Sequence, residues 1–193
     1  MDTIHLIHGI RDTGEHTIKP LGELLARDGF NVMPRMLPRT HTWHAASSRD
    51  TRLLARSLMH QMQPGDHIIA HSHGCGITMA VLEEMGLNFS ADFLSKIVML
   101  SPALNRNQDF HGLPFDNLLC IHNPFDIAIW AGSLLPFHPF GLAGALGIKT
   151  FDPRVRNEAR PSFVGPFNHT DPYFRMPYIE DMAQRIGAFI AED

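Results

Sequence analysis

The stretch Ile68-Ile69-Ala70-His71-Ser72-His73-Gly74, continuing into Cys75-Gly76-Ile77-Thr78-Met79-Ala80-Val81-Leu82, decides the fold class. A short apolar run ends at a small polar turn, and a helix-forming pattern follows with no intervening loop. An apolar strand feeding a helix in this way is expected where helices cover both faces of a parallel sheet. The alternation extends in both directions. Thr3 to His8, Asn31 to Met36, His67 to His71, Lys96 to Leu100 and Leu118 to His122 read as strands, with a sixth placed near Ser162 to Gly165. Between them, Leu21, Leu24 and Leu25 recur at helical spacing behind Pro20, and Gly29 is placed to end that helix. Ser47 and Asp50 open a second helix around Leu54 and Leu58, which Pro64-Gly65 stops. Ile179, Met182, Ala183, Ile186 and Ile190 form the buried stripe of a terminal helix. The expectation is an α/β protein: a mainly parallel central sheet of about six strands, flanked by helices on both faces, in a single domain over residues 1–193.

Composition narrows the function classes. A hydrophobic fraction of 44% with 19% charged residues is that of a chain able to bury a core, well away from disorder. The net charge of -4, without a run of lysines or arginines, offers no basic face to a nucleic acid. Cys75 and Cys120 stand far apart with no C-x-x-C spacing, and both are expected to be buried small hydrophobes. The first residues carry neither a basic region nor a long apolar run, so a cytoplasmic location is expected. Residues 127–148 hold no charge, but four glycines and two prolines among them argue against a membrane span.

The Ala70-His71-Ser72-His73-Gly74 turn also points to chemistry. A serine on a strained strand-to-helix turn exposes its hydroxyl at the sheet rim, provided that small residues two before and two after let strand and helix approach; Ala70 and Gly74 are such residues. The His73 N–H then lies at a helix N-terminus, where an oxyanion is favoured by dipole and donor together. His8-Gly9-Ile10-Arg11 follows the first strand. With the serine turn, this pair of motifs resembles the α/β-hydrolase superfamily, whose usual G-x-S-x-G has Ala70 in its first glycine position here. The resemblance implies that Ile10 and His73 supply the oxyanion-hole N–H groups, with Arg11 a neighbouring substrate contact. Asn123-Pro124-Phe125-Asp126, after the fifth strand, is similar to the family's acid loop, and Asn168-His169-Thr170-Asp171 to its histidine loop. The implied triad is Ser72, Asp126 and His169, in the chain order Ser, Asp, His, with spacings of 54 and 43 residues. Reaching the H-G pair at residue 8 makes the resemblance one to an N-terminally trimmed version of the fold.

The resemblance implies a serine hydrolase of the carboxylesterase or lipase type, cleaving a small-molecule ester or thioester without a cofactor or metal. Two other readings stand beside it. One is a non-catalytic binding protein of the same fold. The other is a metal-dependent hydrolase built on His71-x-His73, disfavoured because Gly74-Cys75 follows where a second ligand pair is needed. Asp109, Asp116 and Asp152 are rival acids, of which Asp152 is the best substitute. The uncharged segment 127–148, with Trp130 and Phe137, is expected either to form a small apolar cap lining an acyl pocket or to pack onto the sheet as plain core.

Overall fold

His67–His71, every residue of it buried, forms β3 near the middle of a six-stranded sheet. The computed structural model describes residues 2–9, 14–35, 48–88, 93–134, 141–162 and 169–192. Among these the elements run β1 (Thr3–Ile7), α1 (Ile18–Arg27), β2 (Asn31–Arg35), α2 (Ser48–Met59), β3, α3 (His73–Asn88), β4 (Leu94–Leu100) and β5 (Phe115–His122). They continue through α4 (Ile127–Ser133), α5 (Ala143–Leu146), β6 (Val155–Ala159), α6 (Asp171–Phe174) and α7 (Tyr178–Ala191). The strand order is β2-β1-β3-β4-β5-β6, and every pairing is parallel.

The period-two alternation of each strand sorts the core into two layers. Ile68, Ala70, Ile97, Met99, Leu118 and Cys120 face one side, where they pack against α2 and α3. Ile4, Leu6, Ile69, Val98, Leu119 and Ile121 face the other, against α1 and α7. Helix α3 is apolar nearly all round and correspondingly buried, whereas α7 buries the single stripe expected of it, with Phe189 added. Each fully buried aliphatic side chain of this kind contributes about 1.5–3 kcal/mol relative to exposure. Cys75 and Cys120 are buried members of the first layer, and burial pushes the Cys120 thiol up to about 12. No helix among the described residues is long and apolar enough to cross a membrane.

One strand lies elsewhere than expected. The sixth is Val155–Ala159; Ser162 lies beyond it, its N–H donating to Asn123 Oδ1 at 3.1 Å, and residues 163–165 fall outside the described set. The reason is position: β6 is an edge strand, half-exposed throughout, so Val155-Arg156-Asn157-Glu158-Ala159 never presents an apolar run. Ser47, the expected start of the second helix, also lies outside the described residues.

Burial of imidazoles makes the fold acid-sensitive. His5 is buried with Nε2 at 2.7 Å from Asp66 Oδ2 and Nδ1 accepting from Arg35 Nε at 2.9 Å. Burial first, and Arg35 with it, lowers the His5 pKa from its ordinary 6.5, while the Asp66 hydrogen bond opposes this. His67 and His122 are lowered as well, chiefly by burial. A histidine that resists protonation in the folded chain stabilises it fully above the unfolded pKa, and that stability is lost as the pH falls below it. The midpoint of chemical denaturation is therefore expected to hold steady above pH 6.5 and to fall progressively below it. A midpoint that stays flat down to about pH 4 would contradict this reading.

Candidate active site

The turn after β3 is built by backbone constraints. Ser72 adopts φ +56°, its N–H donates to Leu100 O at 3.0 Å, and its carbonyl accepts from Cys75 N at 3.1 Å and Ala103 N at 3.2 Å. A non-glycine residue in the left-handed region is held there only by surroundings that over-determine it. Two glycines make the room. A Cβ on Gly74 would lie 2.6 Å from Ile7 O and 2.8 Å from His8 O, and one on Gly9 would lie 2.9 Å from the Ser72 Cβ. The start of α3 and the end of β1 therefore pass one another at a distance no side chain permits. His8 is buried beside this crossing, its Nδ1 2.9 Å from Gly9 O.

Three distant loops converge at this rim. His169 Nε2 lies 2.8 Å from Ser72 Oγ, and its Nδ1 lies 2.7 Å from Asp126 Oδ2. Since a carboxylate only accepts, Nδ1 bears the proton and the Nε2 lone pair faces the serine hydroxyl. Ser72 is 9% exposed and Asp126 fully buried, while the His169 side chain is 20% exposed, so the imidazole is the most accessible member of the line. Asp126 is also the N-cap of α4, its Oδ1 accepting from Ile129 N at 3.0 Å. Burial alone would raise its carboxyl pKa. The hydrogen bond and charge of His169, the Ser101 hydroxyl and the Ile129 N–H outweigh burial and hold it below the ordinary 3.8.

His71 braces the histidine from behind. Its Nε2–H donates to His169 O at 3.2 Å, the two rings stand 4.9 Å apart, and Phe174 meets the His71 ring edge-on at 4.9 Å. His71 Nε2 is thereby engaged, and no group of three or more His, Cys, Asp or Glu side chains suited to a metal occurs among the described residues. Asp152 is paired with Arg154 at 2.7 Å, and Asp109 Oδ1 accepts from His111 N at 2.9 Å, so neither rival acid approaches His169. Asp116 is exposed near the start of β5.

Of the remaining expected residues, His73 is buried and opens α3 directly after Ser72. Trp130 stands on α4, 41% exposed, with Nε1 donating to Pro124 O at 3.0 Å. Ile10, Arg11 and Phe137 lie outside the described residues. Within the segment 127–148, Ile127, Trp130 and Leu134 are exposed, whereas Ala143 and Ala145 of α5 are buried; residues 135–140 lie outside the described set. Sequence reading missed Ser101. It follows β4, has φ +43°, is fully buried, and donates through Oγ to Asp126 Oδ2. The available signal was its place one residue past an apolar strand, the position that Ser72 holds after β3.

The architecture recurs in solved structures over nearly the whole chain. The pyrethroid hydrolase PytH is 15% identical with a TM-score of 0.62, the match covering 98% of this chain and 97% of that one. A monoacylglycerol lipase of Paleococcus ferrophilus is 14% identical with a TM-score of 0.59, covering 97% and 93%. The carboxylesterase CesB of Bacillus subtilis is 9% identical with a TM-score of 0.58, covering 98% and 84%. No family model matches the chain, and no curated protein matches its sequence. At these identities the likeness is one of backbone architecture.

Proposed function

We propose that this chain, which has the α/β-hydrolase fold, is a serine hydrolase that cleaves a carboxylic ester, with Ser72 as nucleophile, His169 as general base and Asp126 as the orienting acid. The observation behind this reading is the unbroken line of hydrogen bonds from Asp126 Oδ2 through His169, at 2.7 and 2.8 Å, to a strained serine at a sheet rim. His169 Nε2 takes the Ser72 proton as Oγ attacks the acyl carbon, and the imidazolium then protonates the departing alcohol. Water repeats both steps on the acyl-enzyme and releases the acid. The Asp126 charge stabilises the imidazolium in each half-reaction. The His73 and Ile10 N–H groups are the proposed oxyanion donors, with His73 favoured by its place at the start of a long helix.

Ester cleavage is preferred to amide cleavage because an alkoxide leaves with less assistance than an amine, and thioesters share that property. Solved structures of the same fold include proteins described as a pyrethroid hydrolase, a carboxylesterase and a monoacylglycerol lipase, which agrees with an acyl ester as substrate. Trp130, with Phe137 and Arg11, is proposed to border the approach of the acyl group.

A fluorophosphonate probe tests the reading. Wild-type protein is expected to be labelled at Ser72 and to turn over short p-nitrophenyl esters, with acyl thioesters run in parallel to separate the two leaving groups. An intact, folded protein that takes no label would instead favour the non-catalytic binding role. Trp130→Ala is expected to change the chain-length preference of ester hydrolysis, and an unaltered profile would remove that residue from the pocket.

A further inference from the structure

Ser101 and Ser72 are structural counterparts. The register of β3 with β4 sets His71 beside Leu100, so the two serines leave neighbouring strands at the same rim, both at positive φ. The Ser101 N–H donates to Ile121 O at 2.9 Å, which fixes the turn. Its Oγ is bonded to Asp126 Oδ2 and stands 3.4 Å from His169 Nδ1. Asp126 Oδ2 therefore takes two donors, one from the imidazole and one from Ser101, while Oδ1 is occupied by the Ile129 N–H.

We propose that Ser101 is a positioning residue that holds the Asp126 carboxylate on the His169 axis during attack by Ser72. The inference rests on the triad assigned above. Without the Ser101 donor, Asp126 keeps its helix-cap bond through Oδ1 but is free to rotate about it, and its charge bears more heavily on the imidazole.

The test is steady-state hydrolysis of a p-nitrophenyl ester across pH by Ser101→Ala beside the wild type. Ser101→Ala is expected to lower kcat by roughly 10- to 100-fold, as loss of a hydrogen bond to a charged group implies, with KM little changed. The acid limb of its kcat/KM profile should move to higher pH, because a carboxylate with one donor fewer favours the protonated state of the coupled pair. Ser101→Gly relieves the backbone and also lacks the hydroxyl, so it should shift the limb equally; it serves in its place if Ser101→Ala fails to fold. An acid limb of Ser101→Ala that superposes on wild type would overturn the proposal. If the folded wild type turns over no ester, the proposed function fails, and the inference is decided by proton NMR. The His169 Nδ1–H resonance should shift in Ser101→Ala and in Ser101→Gly alike; an unmoved resonance overturns the positioning role.

Discussion

Ser72→Ala is expected to abolish fluorophosphonate labelling and to lower ester turnover on the order of 10⁴- to 10⁶-fold, with the thermal midpoint nearly unchanged. The size follows from how the site divides its labour. His169 Nε2 faces the Ser72 hydroxyl at 2.8 Å, whereas the Ser101 hydroxyl lies on the far side of the imidazole, beside Nδ1 and bonded to Asp126. Cys75 is buried in the core, its Sγ bonded to Ala70 O at 3.4 Å, and cannot substitute. Alanine keeps the Cβ and the same backbone demands as serine at φ +56°, so the turn itself loses nothing. Combining Ser72→Ala with His169→Ala should cost little more than either alone, since the residues act as one unit. Labelling retained by Ser72→Ala would assign the reactive group to another residue.

The second large effect concerns folding. Gly74→Ala is expected to destabilise the chain by more than about 3 kcal/mol, lowering the thermal midpoint by roughly 6–12 °C. The added methyl would meet the carbonyl oxygens of Ile7 and His8 at 2.6 and 2.8 Å, and those atoms belong to backbone at the end of a strand paired on both sides. Neither carbonyl can yield without disturbing the sheet. Gly76 supplies the contrast two residues later. A Cβ there would find the His73 ring at 3.7 Å, an ordinary contact, so Gly76→Ala should be neutral or stabilise the helix by up to about 1 kcal/mol. Differential scanning calorimetry of the two variants separates the predictions, and equal midpoints would show that the crossing of α3 over β1 is less tight than described.

Much of the architecture was legible because the interior strands are wrapped on both faces and so spell themselves out as apolar runs. Ile68-Ile69-Ala70 and Ile97-Val98-Met99-Leu100 leave little choice. The rim of the sheet was harder to read. β6 has one neighbour, and its arginine and glutamate are tied to α7 and the chain beyond it, Arg156 to Glu192 and Glu158 to Arg185, so its composition resembles a loop. The line of Ser72, Asp126 and His169 could be anticipated because each lies in a loop with a recognisable local pattern. Ser101 carries only the weak signal of standing one residue past an apolar strand. Its place beside Asp126 depends on which strands are neighbours and in what register, information that appears only once the sheet is assembled.

The double attachment of Asp126, one oxygen to the first turn of α4 and the other to His169, has an engineering consequence. Position 126 answers to two masters: swapping its side chain alters the anchorage of a neighbouring coil as well as the polarity felt by the imidazole. Asparagine retains the former duty and forfeits the latter, whereas alanine forfeits both. Comparing that pair of replacements would apportion any lost turnover between mechanical and electrical origins.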